Sequence, residues 1–124
     1  MQPAAMSTQA LASAYLAEWV NTQAPLGDVH DYVRDLTARD PELAWQVILE
    51  MVQLGADDRA QMVIGDQAVR ELLMLHPDTF GPRVIAATET NPALSECLGY
   101  CRADGLQFNL WQWLTGFQER GCKP

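Results

Sequence analysis

The sequence predicts a single all-α domain spanning residues 1–124, built as a compact bundle of six to seven short helices. Apolar residues recur at i, i+3, i+4 and i+7 in successive segments, and no segment alternates convincingly with the period of a strand. Asp40-Pro41 and Asn91-Pro92 each place a capping side chain before a proline, which is a typical helix start. A chain of 124 residues with 48% hydrophobic side chains can bury a core.

The first two helices are separated by a clear break. Ser7 is predicted to cap a helix that runs to about Gln23, and residues 1–6 before it are expected to be disordered. The segment 24–27, Ala-Pro-Leu-Gly, ends this helix. Asp28 is predicted to cap the second helix, whose apolar stripe consists of Val29, Tyr32, Val33 and Leu36.

The third helix is predicted to lie at the centre of the domain. Asp40 caps it, Pro41 occupies its first position, and Glu42 meets the positive end of the helix dipole. The following run, 43–54, is apolar around most of its circumference, so the helix must be buried on two sides. Its most buried residues should be Trp45, Val47, Ile48, Met51 and Val52.

The middle of the chain is more broken. Asp57 or Asp58 is predicted to begin a short helix that is interrupted at Gly65. Asp66 then caps a continuation that reaches His76-Pro77. A further helix is expected over 78–89, with Gly81-Pro82 as the place for a bend.

Two helices are predicted to complete the bundle. Asn91-Pro92 opens one of them, with a stripe of Leu94, Cys97, Leu98 and Cys101. The last spans about 107–120, and its core face consists of Leu106, Leu110, Trp113, Leu114 and Phe117. The matching starts at Asp40-Pro41 and Asn91-Pro92 leave a short solenoid-like stack of helix pairs as the alternative architecture.

The chain is acidic, with a formal net charge of −8. Direct nucleic-acid binding is disfavoured, because it needs a patch of lysine and arginine. Much of the charge lies between residues 28 and 71. This stretch contains ten carboxylates and four arginines, so its net charge is −6. This stretch is either a solvated surface that keeps the protein soluble or a face that steers a basic partner.

No catalytic apparatus is apparent, and we expect a non-enzyme without a cofactor. Cys97 and Cys101 have a usable metal spacing, but they also lie on an apolar stripe, which favours buried free thiols over a metal site. His30 and His76 carry no signature that pairs either of them with a thiol. Capping explains Asp57-Asp58 better than an ion site does, because no EF-hand loop follows. The site prediction therefore contains no catalytic residue and no metal ligand.

The aromatic residues of the last helix carry the more specific signal. Phe108 and Trp111 project away from the stripe that contains Leu110 and Leu114. Either a second packing surface covers the two rings, or they are exposed as anchors for a partner.

The segment 40–101 carries a set of residues that resembles a known family. These are Asp40-Pro41-Glu42-Leu43-Ala44-Trp45, Ile64-Gly65, Glu71-Leu72-Leu73, Phe80 and Arg83-Val84. They resemble an uncharacterised family, a domain of unknown function, of small bacterial helical proteins. This sequence has Asp66-Gln67-Ala68 where the pattern would have a second glycine and a proline. The resemblance implies a helical fold and a bacterial or phage origin, and it implies no activity.

The leading hypothesis is a non-catalytic, acidic inhibitor that binds another protein, most specifically an immunity protein that neutralises a bacterial toxin such as a basic nuclease. A phage-encoded inhibitor of a bacterial defence complex, a metal or redox protein using the cysteines, and a structural homodimer are the alternatives. No segment is apolar enough to span a membrane and residues 1–10 do not read as a signal peptide, so the expected location is the cytoplasm. The predicted partner-binding residues are Asp28, Asp31, Asp35, Asp57, Asp58, Phe108 and Trp111.

Overall fold

Seven helices and no strand form the part of the chain that the computed structural model describes, residues 2–20, 27–55 and 57–121. A short 3-10 turn, Pro3–Ala5, precedes them, in the segment that was expected to be disordered. The all-α fold class and the compact bundle are confirmed. The helices are α1 (Thr8–Val20), α2 (Asp28–Arg39), α3 (Pro41–Leu54), α4 (58–75), α5 (Pro77–Thr88), α6 (Pro92–Leu98) and α7 (Phe108–Glu119).

Local capping signals place most of the helix starts. The Asp40 side chain accepts a hydrogen bond from the Leu43 amide at 3.3 Å, and Asn91 accepts one from Leu94 at 3.1 Å. Ser7 accepts from the Ala10 amide at 3.1 Å. The predicted end of the first helix at Gln23 and the break at 24–26 lie outside the described residues.

The helix α3 lies at the centre, as predicted. It packs against α1, α2, α6 and the middle of α4. Its five predicted core residues are all buried, and three of them have no exposed surface at all: Val47, Ile48 and Met51.

The start of α2 differs from the prediction that Asp28 caps it. Asp28 is the first helical residue, and the N-cap is Gly27, which has no side chain to accept a bond. The Glu18 carboxylate on α1 takes this role instead, because it accepts hydrogen bonds from the amides of Gly27 (3.1 Å), Val29 (3.2 Å) and His30 (2.8 Å). A side chain from one helix therefore satisfies the free amides at the start of the next.

The interruption predicted at Gly65 is a change of helix type and not a break in the helix. The helix α4 continues through a π-helical segment, Ile64–Val69, between two α-helical parts, Asp58–Val63 and Arg70–Leu75. Gly65 serves close packing, since a Cβ atom added there would lie 1.9 Å from the carbonyl oxygen of Cys97. Asp66 does not cap a helix, because its carboxylate accepts bonds from the Arg102 amide (3.0 Å) and Nε (3.1 Å).

The helix α6 is shorter than the predicted stripe. It ends at Leu98, so Cys101 follows the helix instead of lying on it. Cys101 is buried nevertheless, and the Gln118 side chain of α7 donates to the carbonyls of Leu98 (2.9 Å) and Cys101 (2.7 Å). Gln118 thus fastens α7 to the C-terminal end of α6.

Candidate functional site

The five aspartates predicted to bind a partner all have exposed side chains, but they form two groups. Asp28, Asp31 and Asp35 lie along α2, which contacts the Arg70–Leu75 part of α4. Asp57 and Asp58 lie at the opposite end of α4. The two groups therefore belong to different helices.

Arginines neutralise part of the acidic stretch. Arg39 Nε lies 2.6 Å from an oxygen of Asp35, and Arg34 Nε lies 3.8 Å from an oxygen of Glu71. Asp57 caps α4 by accepting from the Ala60 amide at 2.8 Å, as the capping explanation predicted. Counting carboxylates along the sequence therefore overstates the field at this surface.

One shallow groove collects carboxylates from two helices. It lies between α2 and the end of α4, and its exposed apolar residue, Leu75, is 46% exposed. A lysine or arginine side chain would find carboxylates for its charged end here and Leu75 for its apolar stem. We call this surface the acidic groove, and its residues are Asp31, Arg34, Asp35, Ala38, Glu71 and Leu75.

Phe108 and Trp111 are exposed, so no second packing surface within the described residues covers these rings. Their side chains are 68% and 43% exposed, whereas Leu110, Leu114 and Phe117 on the opposite side of α7 are buried. The two exposed rings stack on one another, with centroids 6.1 Å apart and planes inclined by 11°. We call this pair the aromatic patch.

The neighbours of the aromatic patch along α7 are uncharged. Between Asp104 and Glu119 the sequence contains no charged residue, and Gln107, Asn109 and Gln112 are the exposed polar neighbours along the helix. Aromatic enrichment with depletion of charge is typical of the centre of a protein interface. The aromatic patch thus differs in character from the acidic groove.

The two described cysteines are not suited to catalysis. Cys97 and Cys101 are free and almost completely buried, and burial raises the pKa of each thiol to about 12. Within the described residues, no three histidine, cysteine, aspartate or glutamate side chains are grouped so that they could hold a metal. The third cysteine, Cys122, lies outside those residues.

These thiols give a prediction about reactivity and pH. The nucleophile is the thiolate, so in a Cys122→Ser variant Cys97 and Cys101 should resist iodoacetamide at pH 8 in the native state and react in guanidinium. Since the pKa rises from an ordinary value of 9.0 to about 12 on folding, the native state holds protons that the unfolded state loses. Stability should therefore fall as the pH rises from 9 towards 12. Rapid alkylation of both native thiols would contradict the buried environment.

Both histidines serve packing. The His30 ring stacks on Tyr15 with centroids 5.8 Å apart and meets Trp19 edge-on. His76 Nε2 lies 2.8 Å from the carbonyl oxygen of Thr37 and its ring meets Phe80 edge-on. Aromatic rings and oxygen atoms are thus the neighbours of both imidazoles.

A polar cavity of about 180 Å³ lies between α1, α2 and the π-helical segment of α4. Sequence reasoning missed it because its walls come from three separate helices. Burial raises the pKa of the Tyr15 hydroxyl in its wall to about 12. The residues that line it are Tyr15, His30, Val33, Arg34, Thr37, Gln67, Ala68 and Glu71.

Two findings concern the chain as a whole. None of the helices in the described residues has the length and apolar character that crossing a bilayer requires. Comparisons with models of protein families, with curated proteins and with solved structures found no match. The family resemblance of residues 40–101 therefore stays a prediction.

Proposed function

We propose that this protein is a non-catalytic binding protein that neutralises or regulates another protein. The observation that carries the proposal is the exposed stack of Phe108 on Trp111, with 68% and 43% of the side chains exposed. Tryptophan is among the residues that most often dominate binding energy at interfaces. Leaving two large rings in water gives up their hydrophobic stabilisation, and a partner that covers them recovers it.

The acidic residues of α2 supply the second element of the proposal. Asp28 and Asp31 are exposed, and the net charge of −8 attracts a basic partner at long range. The specific form that we propose is an immunity protein bound to a basic bacterial toxin, such as a nuclease, in the cytoplasm. In this form the carboxylates accelerate encounter and the aromatic patch holds the complex.

The aromatic patch is tested by binding kinetics with a partner captured from the bacterial host. Trp111→Ala should weaken binding by about 2 kcal/mol, or roughly 30-fold, mainly through faster dissociation. The matched control is Leu54→Ala, since Leu54 is an exposed apolar residue (51%) on α3. Equal affinities of the two variants would remove the aromatic patch from the interface. Sedimentation of the protein alone separates this model from a homodimer that covers its own rings.

The steering role is tested by salt and charge. The double variant Asp28→Asn/Asp31→Asn should slow association, and raising the salt concentration should slow association of the unmodified protein in the same way. The control is Glu89→Gln/Glu119→Gln, which removes two exposed carboxylates outside the acidic stretch. An association rate indifferent to salt and to the α2 changes would exclude a basic partner steered by this helix.

A further inference from the structure

The polar cavity beneath α2 has a closed floor and a charged mouth. Its floor includes three buried residues, Val33, Thr37 and Ala68. At its mouth the Arg34 and Glu71 side chains are 69% and 36% exposed, so both reach solvent. A small molecule can enter between these two side chains and reach the buried wall.

The charges at the mouth are opposite and adjacent. Arg34 Nε and Glu71 Oε1 lie 3.8 Å apart, a separation longer than that of a good charge-assisted hydrogen bond. Such an exposed pair contributes little to stability, so exchanging it for two ligand contacts costs little. A ligand that carries one negative and one positive group satisfies both side chains and leaves the net charge of the cavity unchanged.

The wall offers further hydrogen-bonding groups. Tyr15 contributes a hydroxyl, Gln67 an amide, and His30 an imidazole whose Nδ1 lies 3.3 Å from Asp31 Oδ1. These groups donate to or accept from a polar ligand, whereas Val33 and Ala68 in the floor accommodate only a short carbon chain. The volume of about 180 Å³ is comparable to cavities of roughly 150 Å³ that hold benzene, so the ligand has about six to eight heavy atoms.

The π-helical segment is a second, independent feature of the same place. Gln67 and Ala68 belong to this segment, Ile64–Val69, and both line the cavity. Segments of π-helix are rare in proteins and often occur at functional sites, since the wider turn changes the direction of the side chains. Here it brings an amide side chain to the wall opposite α2.

We propose that the cavity binds a small α-amino acid as its zwitterion. The ligand carboxylate pairs with Arg34, the ammonium group pairs with Glu71, and a small polar side chain reaches Tyr15 and Gln67. Serine and threonine have the required size and polarity. The site is separate from the aromatic patch but shares Arg34 and Glu71 with the acidic groove, so the tests use the protein without a partner.

The first test titrates the isotope-labelled full chain with single compounds and follows its backbone amide resonances. Serine or threonine should shift the signals of His30, Arg34, Gln67 and Glu71 in a saturable manner. Acetate and ethylamine, which each carry only one of the two charges, should bind at least tenfold more weakly, and leucine should be excluded by size. No saturable shift with any small amino acid, or equal binding of acetate, would overturn the proposal.

The second test uses two charge variants at the surface, one control variant and one variant that fills the cavity. Arg34→Gln and Glu71→Gln should each weaken binding at least tenfold, while Arg39→Gln, an exposed arginine on the same helix but outside the cavity, should bind as the unmodified protein does. Ala68→Leu fills the cavity and should abolish binding. Circular dichroism confirms that each variant is folded. Unchanged affinity in both charge variants, or an equal loss in the Arg39 control, would overturn the assignment.

Discussion

Replacing Gly65 with alanine is expected to lower the free energy of unfolding by about 3 kcal/mol or more. The added Cβ would lie 1.9 Å from the carbonyl oxygen of Cys97 and 2.7 Å from its carbonyl carbon. Overpacking typically costs about 1–3 kcal/mol, and the cost is at the upper end when the obstacle is backbone that no rotamer change can move. The packing of α4 on α6 must open to accept the methyl group. Urea denaturation followed by circular dichroism measures the change.

Gly116 provides the matched control, because it lies inside another helix, α7. The nearest atom to a Cβ added there is Arg120 Nη1 at 3.4 Å, the end of a flexible side chain. Gly116→Ala should therefore raise stability by about 0.5–1 kcal/mol, through helix propensity. If Gly65→Ala lowers the free energy of unfolding no more than Gly116→Ala does, α4 and α6 do not approach one another as closely as described.

Truncation of Phe80 to alanine is expected to cost about 3–5 kcal/mol, since it removes a large side chain from the core and leaves a cavity. The ring is 1% exposed and meets Trp45 and His76 edge-on, at centroid distances of 6.4 and 6.2 Å. The guanidinium carbon of Arg83 lies 4.7 Å from the ring centroid, so a cation–π contact is lost as well.

Phe108→Ala is the matched control, because it makes the same substitution as Phe80→Ala at an exposed position. Because Phe108 is 68% exposed, its truncation should change the free energy of unfolding by no more than about 0.5 kcal/mol. The same variant should weaken partner binding if the aromatic patch is the anchor. A large loss of stability in Phe108→Ala would show that the exposed face of α7 is assigned incorrectly. A small loss in Phe80→Ala would show that Phe80 is not part of the core.

The parts of the fold that sequence could predict depend on neighbouring residues. Asp40 and Asn91 cap helices through amides three residues away, and the proline that follows each of them reinforces the same signal. The burial of Ile48 and Met51 follows from the narrow polar strip of α3. Capping and periodicity are both local, so they can be read before the tertiary structure is known.

Three of the differences from the prediction, at Asp28, Gly65 and Asp66, arise from long-range contacts. Glu18 reaches amides nine to twelve residues away, and Asp66 reaches Arg102 thirty-six residues away, so neither partner is visible in a local pattern. Gly65 looks like a helix break, because glycine has a low helix propensity and also permits close approach. Only the position of Cys97 shows which property matters.

The candidate surfaces were predictable to a similar degree. Periodicity placed Phe108 and Trp111 off the buried stripe of α7, but their exposure depends on whether another element covers that side. The acidic stretch is visible in the sequence as an excess of carboxylates. Its electrostatic field is weaker than that excess suggests, because Asp35 pairs with Arg39 and Asp66 pairs with Arg102. The polar cavity could not be predicted, since it depends on how three helices meet.

The π-helical turn also sets the angular phase of α4. Successive residues of an α-helix are rotated by about 100°, and a turn that accommodates one extra residue displaces every later side chain by that angle. The part before the turn, Asp58–Val63, contacts α1 and α6, and the part after it, Arg70–Leu75, contacts α2 and α5. The added residue therefore turns the later side chains of α4 towards a second set of neighbours, α2 and α5 in place of α1 and α6.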